Sequence, residues 1–167
     1  HTANRRQRQM CIRDSACGFI GSHLVEKLVK QNYKVKAFTF YNARGSNGWL
    51  DNVDRNVIKN LEIVSGDIRD HEFLVNCSKK TDIIFHLAAL IGIPYSYSAS
   101  KSYIDTNITG TYNVLNAAKA NSVSKTIITS TSEVYGSAQS IPITEQHRLN
   151  AQSPYAASKI GADQLAL

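Results

Sequence analysis

No apolar run in this 167-residue chain approaches the ~20 residues that a membrane-spanning helix needs. The arginine-rich start is not followed by the apolar stretch of a secretory signal, so no such signal is read there. Only three cysteines occur, Cys11, Cys17 and Cys77. Their number is odd and their spacing is not that of metal ligands. This argues against a disulfide framework and a metal centre and points to a reducing, cytoplasmic compartment. Internal repeats and low-complexity segments are missing too. At 43% hydrophobic and 19% charged residues, disorder is excluded and one globular domain with a sizeable core is expected. The net charge of +6 is a poor pointer to nucleic acid, because half of it lies in residues 1–14, where Arg5, Arg6, Arg8 and Arg13 face only Asp14. Without a basic helix or an aromatic platform, neither a nucleic-acid nor a membrane partner is expected.

What is present is an alternation of strand-like and helix-like segments. Phe19–Gln31 places apolar residues on one helix face. Lys34–Phe40 reads as a strand, Tyr41–Asn60 as a loop, and Leu61–Ser65 as a strand ending at Gly66-Asp67. Asp70–Ser78 is a short helix, Asp82–His86 a compact strand, Ser102–Asn121 a long helix, Lys125–Ser130 a strand and Ser153–Leu167 a helix. Strands alternating with helices predict right-handed βαβ units and a doubly wound, Rossmann-like parallel sheet of the α/β class. Such a sheet needs a buried apolar strand ahead of Gly18. Residues 8–14 offer only Met10, Cys11 and Ile12, with Arg8 and Arg13 beside them, and an unpaired buried arginine costs several kcal/mol. The first strand is therefore expected to be replaced.

Three motifs carry chemistry. Gly18 and Gly21 have the spacing of the last two glycines of G-x-x-G-x-x-G, at the start of a helix whose amide groups would face a pyrophosphate. Ser15 holds the first glycine place. Alone, this pattern fits a capping glycine equally well. Tyr155 and Lys159 lie four apart, hence on one helix face. A lysine ammonium favours the phenolate, a base for a hydroxyl proton. The bland alternative is a surface pair. Ser130-Thr131-Ser132-Glu133-Val134-Tyr135-Gly136 follows a strand at the sheet edge where ligands bind. Thr131 could donate to a substrate oxygen and Glu133 could move a proton, or Glu133 could be a solvated loop acid.

In order and spacing these motifs resemble the extended short-chain dehydrogenase/reductases, the NAD-dependent epimerase/dehydratase family. Gly66-Asp67-Ile68, His86-Leu87-Ala88-Ala89 and Thr106–Thr111 join the match, which runs from Ala16 to Leu167. Within the family the chain resembles NAD(P)-dependent sugar-nucleotide 4,6-dehydratases, most closely those acting on nucleotide-activated N-acetylglucosamine in legionaminic-acid-type pathways. That resemblance implies roles. Tyr155 would be the base at sugar O4, Lys159 would position it and the cofactor ribose, Thr131 would bind O4, and Glu133 would take the C5 proton and help expel the C6 hydroxyl. Gly18, Phe19, Ile20 and Gly21 would hold the pyrophosphate of NAD, Asp67 and Ile68 would flank adenine, and Leu87, Ala88 and Ala89 would line the nicotinamide side. Tyr155 and Lys159 would also touch the cofactor. A nucleotide sugar is the implied substrate and a homodimer the implied assembly.

The sequence also departs from the pattern. Ser132 stands where some 4,6-dehydratases carry Asp. UDP-glucuronate decarboxylases share the Ser-Thr-Ser-Glu-Val-Tyr-Gly string, and 4-epimerases usually have a small residue at the place of Glu133. A non-catalytic NAD(P)-binding regulator is the rival from another class. Thr39 occupies the place of the usual ribose-binding acid, and Arg44 could accept a 2′-phosphate, which leaves NADP open. Similarity stops abruptly at Ala16, where the family would have Thr-Gly at 14–15. Residues 5–15, RRQRQMCIRDS, resemble translated adapter sequence. Residues 1–15 are thus expected to be a non-native leader, residues 16–167 a partial NAD(P)-binding domain lacking its substrate domain, and the fragment unstable and inactive.

Overall fold

The computed structural model describes residues 9–13 and 16–167. Five parallel strands form one sheet: β1 (Gln9–Arg13), β2 (Lys34–Phe40), β3 (Leu61–Gly66), β4 (Ile83–His86) and β5 (Lys125–Ile128), in the order β3-β2-β1-β4-β5. Helices α1 (Phe19–Lys30), α2 (Arg55–Ile58), α3 (His71–Cys77), α4 (Ile93–Ser98), α5 (Ser100–Tyr103), α6 (Gly110–Ala120) and α7 (Pro154–Ala166) fill the connections. A π-turn over Ile104–Thr109 joins α5 to α6. This is the doubly wound sheet that the alternating pattern predicts.

Side chains alternate along each strand, so the sheet has two apolar faces. Met10, Val35 and Ala37 pack with Val25 and Leu28 of α1. Phe38 and Ile84 pack with Leu74 of α3 and with Val114 and Ala117 of α6. Lys36, on an inner strand, is a buried lysine that the pattern does not foretell. It is tolerated because Nζ donates to the Cys77 carbonyl (3.0 Å) and pairs with Glu62 (3.1 Å).

Contrary to what the sequence leads one to expect, the sheet does not lose its centre: Gln9–Arg13 forms β1 there, with Met10 opposite both Val35 and Ile83. Pairing uses backbone groups, which any non-proline sequence supplies, and Met10 is buried. Arg8, Asp14 and Ser15 lie outside the described residues, as does the side chain of Arg13. The predicted loop 41–60 contains two short turns of helix, at Gly48–Asn52 and in α2. The segment ahead of α5 contains α4, whose signal is Pro94 in its first turn. The predicted long helix is real but interrupted by the π-turn.

Strand order reverses between β1 and β4. In open parallel sheets the crevice at the carboxyl ends of such a pair is where ligands bind.

Candidate active site

The glycine turn occupies that crevice. Gly18 is the N-cap of α1 with extended backbone, Gly21 is buried, and Phe19 and Ile20 are exposed. Among the described residues no side chain caps this helix, and its first turn holds no acid. The first amide groups of a helix lack intrahelical acceptors. Those of α1 point to where an anion could be received. The turn is braced from the side: the Trp49 amide donates to the Cys17 carbonyl (2.9 Å), and the Trp49 ring meets Phe19 edge-on. Gly48 makes this approach possible. Its φ is +60°, and a Cβ there would lie 2.5 Å from the Cys17 oxygen.

Beside the turn a cleft of about 350 Å³ opens over the ends of β2, β3 and β4, lined by Phe40, Asp67, Ile68, Ala88, Ala89 and Tyr95 among others. Arg69 pairs with Asp67 through its guanidinium and holds the Asp67 carboxyl below the usual carboxylate range. Ile68 is mainly a core side chain, packed on Gly110. Leu87 lies apart from the cleft lining and packs toward the α1 face of the sheet. Thr39 is buried, with its hydroxyl on Ser65 (2.9 Å), so it does not stand in for a ribose-binding acid. Arg44 is exposed and lines a neighbouring cavity of about 510 Å³ with Cys17, Asn42 and Gly48. Asn42 shapes this turn by accepting from the Arg44 and Ser46 amides (3.2 Å each).

The second half of the site is built on α7. Ser153 caps the helix by accepting from the Ala156 amide (3.0 Å). Tyr155 and Lys159, four apart on α7, are both buried and are not a surface pair. Lys159 Nζ donates to the Thr129 carbonyl (2.7 Å). The strand β5 ends at Ile128, two residues before the predicted Ser130. Burial pushes the Lys159 ammonium below its ordinary pKa, and the nearby Asp163 carboxylate opposes the shift. Thr131 is the N-cap of a 3₁₀ turn, Ser132–Tyr135, and its hydroxyl accepts from the Glu133 amide (3.3 Å). This turn packs against α7 and leaves the Glu133 carboxylate exposed. Gly136 closes it at φ +63°, where a Cβ would meet the Asn150 carbonyl at 2.5 Å.

The structure adds a residue to which the sequence assigned no role. Asn107, in the π-turn, is buried and bridges three segments. Its amide donates to the Leu90 carbonyl (3.0 Å) and to Ser158 Oγ (2.9 Å), and its oxygen accepts from the Leu90 amide (2.8 Å). It thus fastens the strand tail carrying Ala88 and Ala89 to the helix carrying Tyr155. Thr111 donates to the Asn107 carbonyl (2.6 Å) and must then accept from His86 Nε2 (2.9 Å), which fixes a proton on that nitrogen. A buried polar network loses one to three kcal/mol for each orphaned group. Asn107→Ala is expected to destabilise the fold by about 3 kcal/mol, read as a lowered urea midpoint with an unchanged m-value.

The cofactor crevice, the Tyr–Lys helix and the acid-bearing turn are therefore brought to one sheet edge. A family model described as GDP-mannose 4,6 dehydratase matches residues 16–167. The chain belongs to this family. Its members and neighbours are NAD-dependent sugar-nucleotide dehydratases, epimerases and decarboxylases. The crystal structure of DesIV, the dTDP-glucose 4,6-dehydratase of Streptomyces venezuelae solved with NAD bound, superposes with a TM-score of 0.85 at 34% identity, over 95% of this chain and 50% of that one. The UDP-N-acetylglucosamine 4-epimerase of Methanobrevibacter ruminantium M1 gives 0.85 at 31% identity, over 96% and 49%. A UDP-N-acetyl-α-D-glucosaminuronate decarboxylase of Bacillus cytotoxicus is 35% identical over 130 residues, 77% of this chain and 38% of the relative. The chain spans half or less of the length of each. Among the described residues no helix is long and apolar enough to cross a membrane, and no cluster of metal ligands occurs.

Proposed function

We propose that this chain forms the cofactor-binding part of an NAD-dependent sugar-nucleotide 4,6-dehydratase, acting on a nucleotide-activated hexose such as UDP-N-acetylglucosamine. The observation that carries the reading is the exposed Glu133 carboxylate on a turn packed against the helix of Tyr155. An epimerase at C4 has no proton to remove from C5, whereas elimination of the C6 hydroxyl does. The residues fit NAD. The uncapped start of α1, through the Phe19, Ile20 and Gly21 amides, would hold the pyrophosphate. Asp67 and Ile68 would flank adenine, and Ala88 and Ala89 would border the nicotinamide half. Leu87 would act only through the packing of that strand tail.

NAD, when bound, would supply the acceptor for a hydride from sugar C4 and the donor that restores it at C6. Tyr155 takes the O4 proton as general base. Lys159, on the same helix face, would place its ammonium on the side of the Tyr155 hydroxyl and reach the cofactor ribose. Thr131 donates to O4. Glu133 takes the C5 proton and delivers it to the departing C6 hydroxyl, which leaves as water; as the hydride reaches C6 a solvent-derived proton is added at C5, balancing the O4 proton that Tyr155 passes to solvent. The product is a 4-keto-6-deoxy sugar. A cytoplasmic homodimer follows from the same reading. Arg44, which is exposed, is the residue that would admit a 2′-phosphate, but a preference for NAD is expected.

The test uses protein of the relatives' full length with UDP-N-acetylglucosamine in deuterium oxide. The expected product is the 4-keto-6-deoxy sugar with deuterium at C5. Recovery of only the C4 epimer would overturn the dehydratase reading, and release of carbon dioxide from a glucuronate substrate would replace it with a decarboxylase.

A further inference from the structure

The carboxylate of Asp163 is absorbed by none of the roles above. It lies on α7 one helical turn beyond Lys159, on the same side, and is half-buried. Ser130 Oγ donates to Asp163 Oδ2. Ser130 directly follows Thr129, whose carbonyl is held by Lys159 (2.7 Å). Two consecutive residues at the end of β5 are thus gripped by two consecutive turns of one helix. Thr131, the cap of the acid-bearing turn, comes next in the chain. That turn has weak internal bonds: Val134 N to Thr131 O at 3.4 Å, Gly136 N to Glu133 O at 3.3 Å and Glu133 N to Thr131 Oγ1 at 3.3 Å. Bonds this long do not fix a side chain by themselves. Besides its packing against α7, the turn takes its position from its ends. At the far end the Asn150 amide donates to the Val134 carbonyl (2.8 Å), and at the near end stands the grip from α7.

We propose that Asp163 is a positioning residue: through Ser130, and together with Lys159, it clamps the Thr131–Glu133 turn to the helix that carries Tyr155. A hydrogen bond to an ionised carboxylate is stronger than one between neutral groups. The charge has a second use, because it stands against the loss of the Lys159 proton that burial favours. Asp163 touches neither substrate nor cofactor in this role. It sets the separation between acid and phenolate.

The proposal rests on the placement of the turn and borrows the dehydratase reading only for the turnover arm of its test. Amide exchange of Glu133, Val134 and Gly136 is measured in the protein without substrate, at the relatives' full length. Ser130→Ala and Asp163→Ala are each expected to speed exchange about five- to tenfold, and the double variant no further, because both remove the same bond. Asp163→Asn keeps an acceptor for Ser130 and should restore most of the protection. With substrate, Asp163→Ala should lower kcat about tenfold while NAD affinity and KM stay within about twofold. Unchanged exchange in Asp163→Ala, or additive effects in the double variant, overturns the clamp. The two readings fail separately: the exchange pattern needs no turnover, and the dehydratase reading is judged by the product of the unsubstituted protein.

Discussion

Tyr155→Phe is expected to lower turnover about a thousandfold, some 4 kcal/mol of transition-state stabilisation, while NAD affinity stays within about fivefold. The substitution removes one oxygen and keeps the ring. The ring is buried and meets Tyr103 edge-on with centroids 6.2 Å apart, a contact that phenylalanine reproduces. The fold should therefore survive, and the loss should lie in the chemical step. The check is a single-turnover measurement beside a cofactor titration. Turnover within tenfold of the parent would remove Tyr155 from its role as base. Loss of cofactor binding together with turnover would make it a structural residue of the crevice.

Glu133→Gln separates two halves of the reaction. On the proposed dehydratase reading, hydride removal at C4 would need Tyr155 and Lys159, whereas departure of the C6 hydroxyl would need a group that exchanges a proton with C5. The amide retains the shape of the acid without its basicity. Water release should fall at least a hundredfold, and reduced cofactor should accumulate with the oxidised sugar. The Glu133 side chain is exposed and its backbone amide keeps its bond to Thr131, so stability should change by less than about 0.5 kcal/mol. Absorbance of reduced nicotinamide after mixing with substrate reports the first half, and keto-deoxy product the second. Equal loss of both would show that Glu133 acts before elimination.

Much of this architecture is legible in the sequence because inner parallel strands are short, apolar and separated by helices. Lys34–Phe40 matches its predicted bounds, and α1 and α7 begin where Phe19 and the Ser153-Pro154 pair announce them. The burial of both Tyr155 and Lys159 follows from their shared helix face. Less legible is whatever depends on long-range polar contacts. Asn107 reads as an unremarkable polar residue of a helix until Leu90 and Ser158 arrive beside it. The Lys159–Asp163 spacing was a signal, since residues four apart on a helix interact, but its use becomes visible only once Ser130 is placed against it. The first strand is hard to read for the opposite reason: its apolar content is low, yet five residues of backbone pair on both sides and Met10 supplies a buried anchor.

That central strand also bears on the order of assembly. Strands β2 and β3 meet across residues 41–60, and β4 meets β5 across α4, α5 and α6. The pairing of β1 with β4 closes a far longer loop, with Gln9 and Asp82 hydrogen-bonded across 73 positions. Loop closure is paid in chain entropy before such contacts return anything, and long-range pairing slows folding. The two halves of the sheet are therefore joined late, along the seam where strand order reverses. The ligand crevice lies across that seam. Cofactor capture should thus mark the last step of folding, and NAD should act as a chaperone of the assembled sheet as well as a reactant.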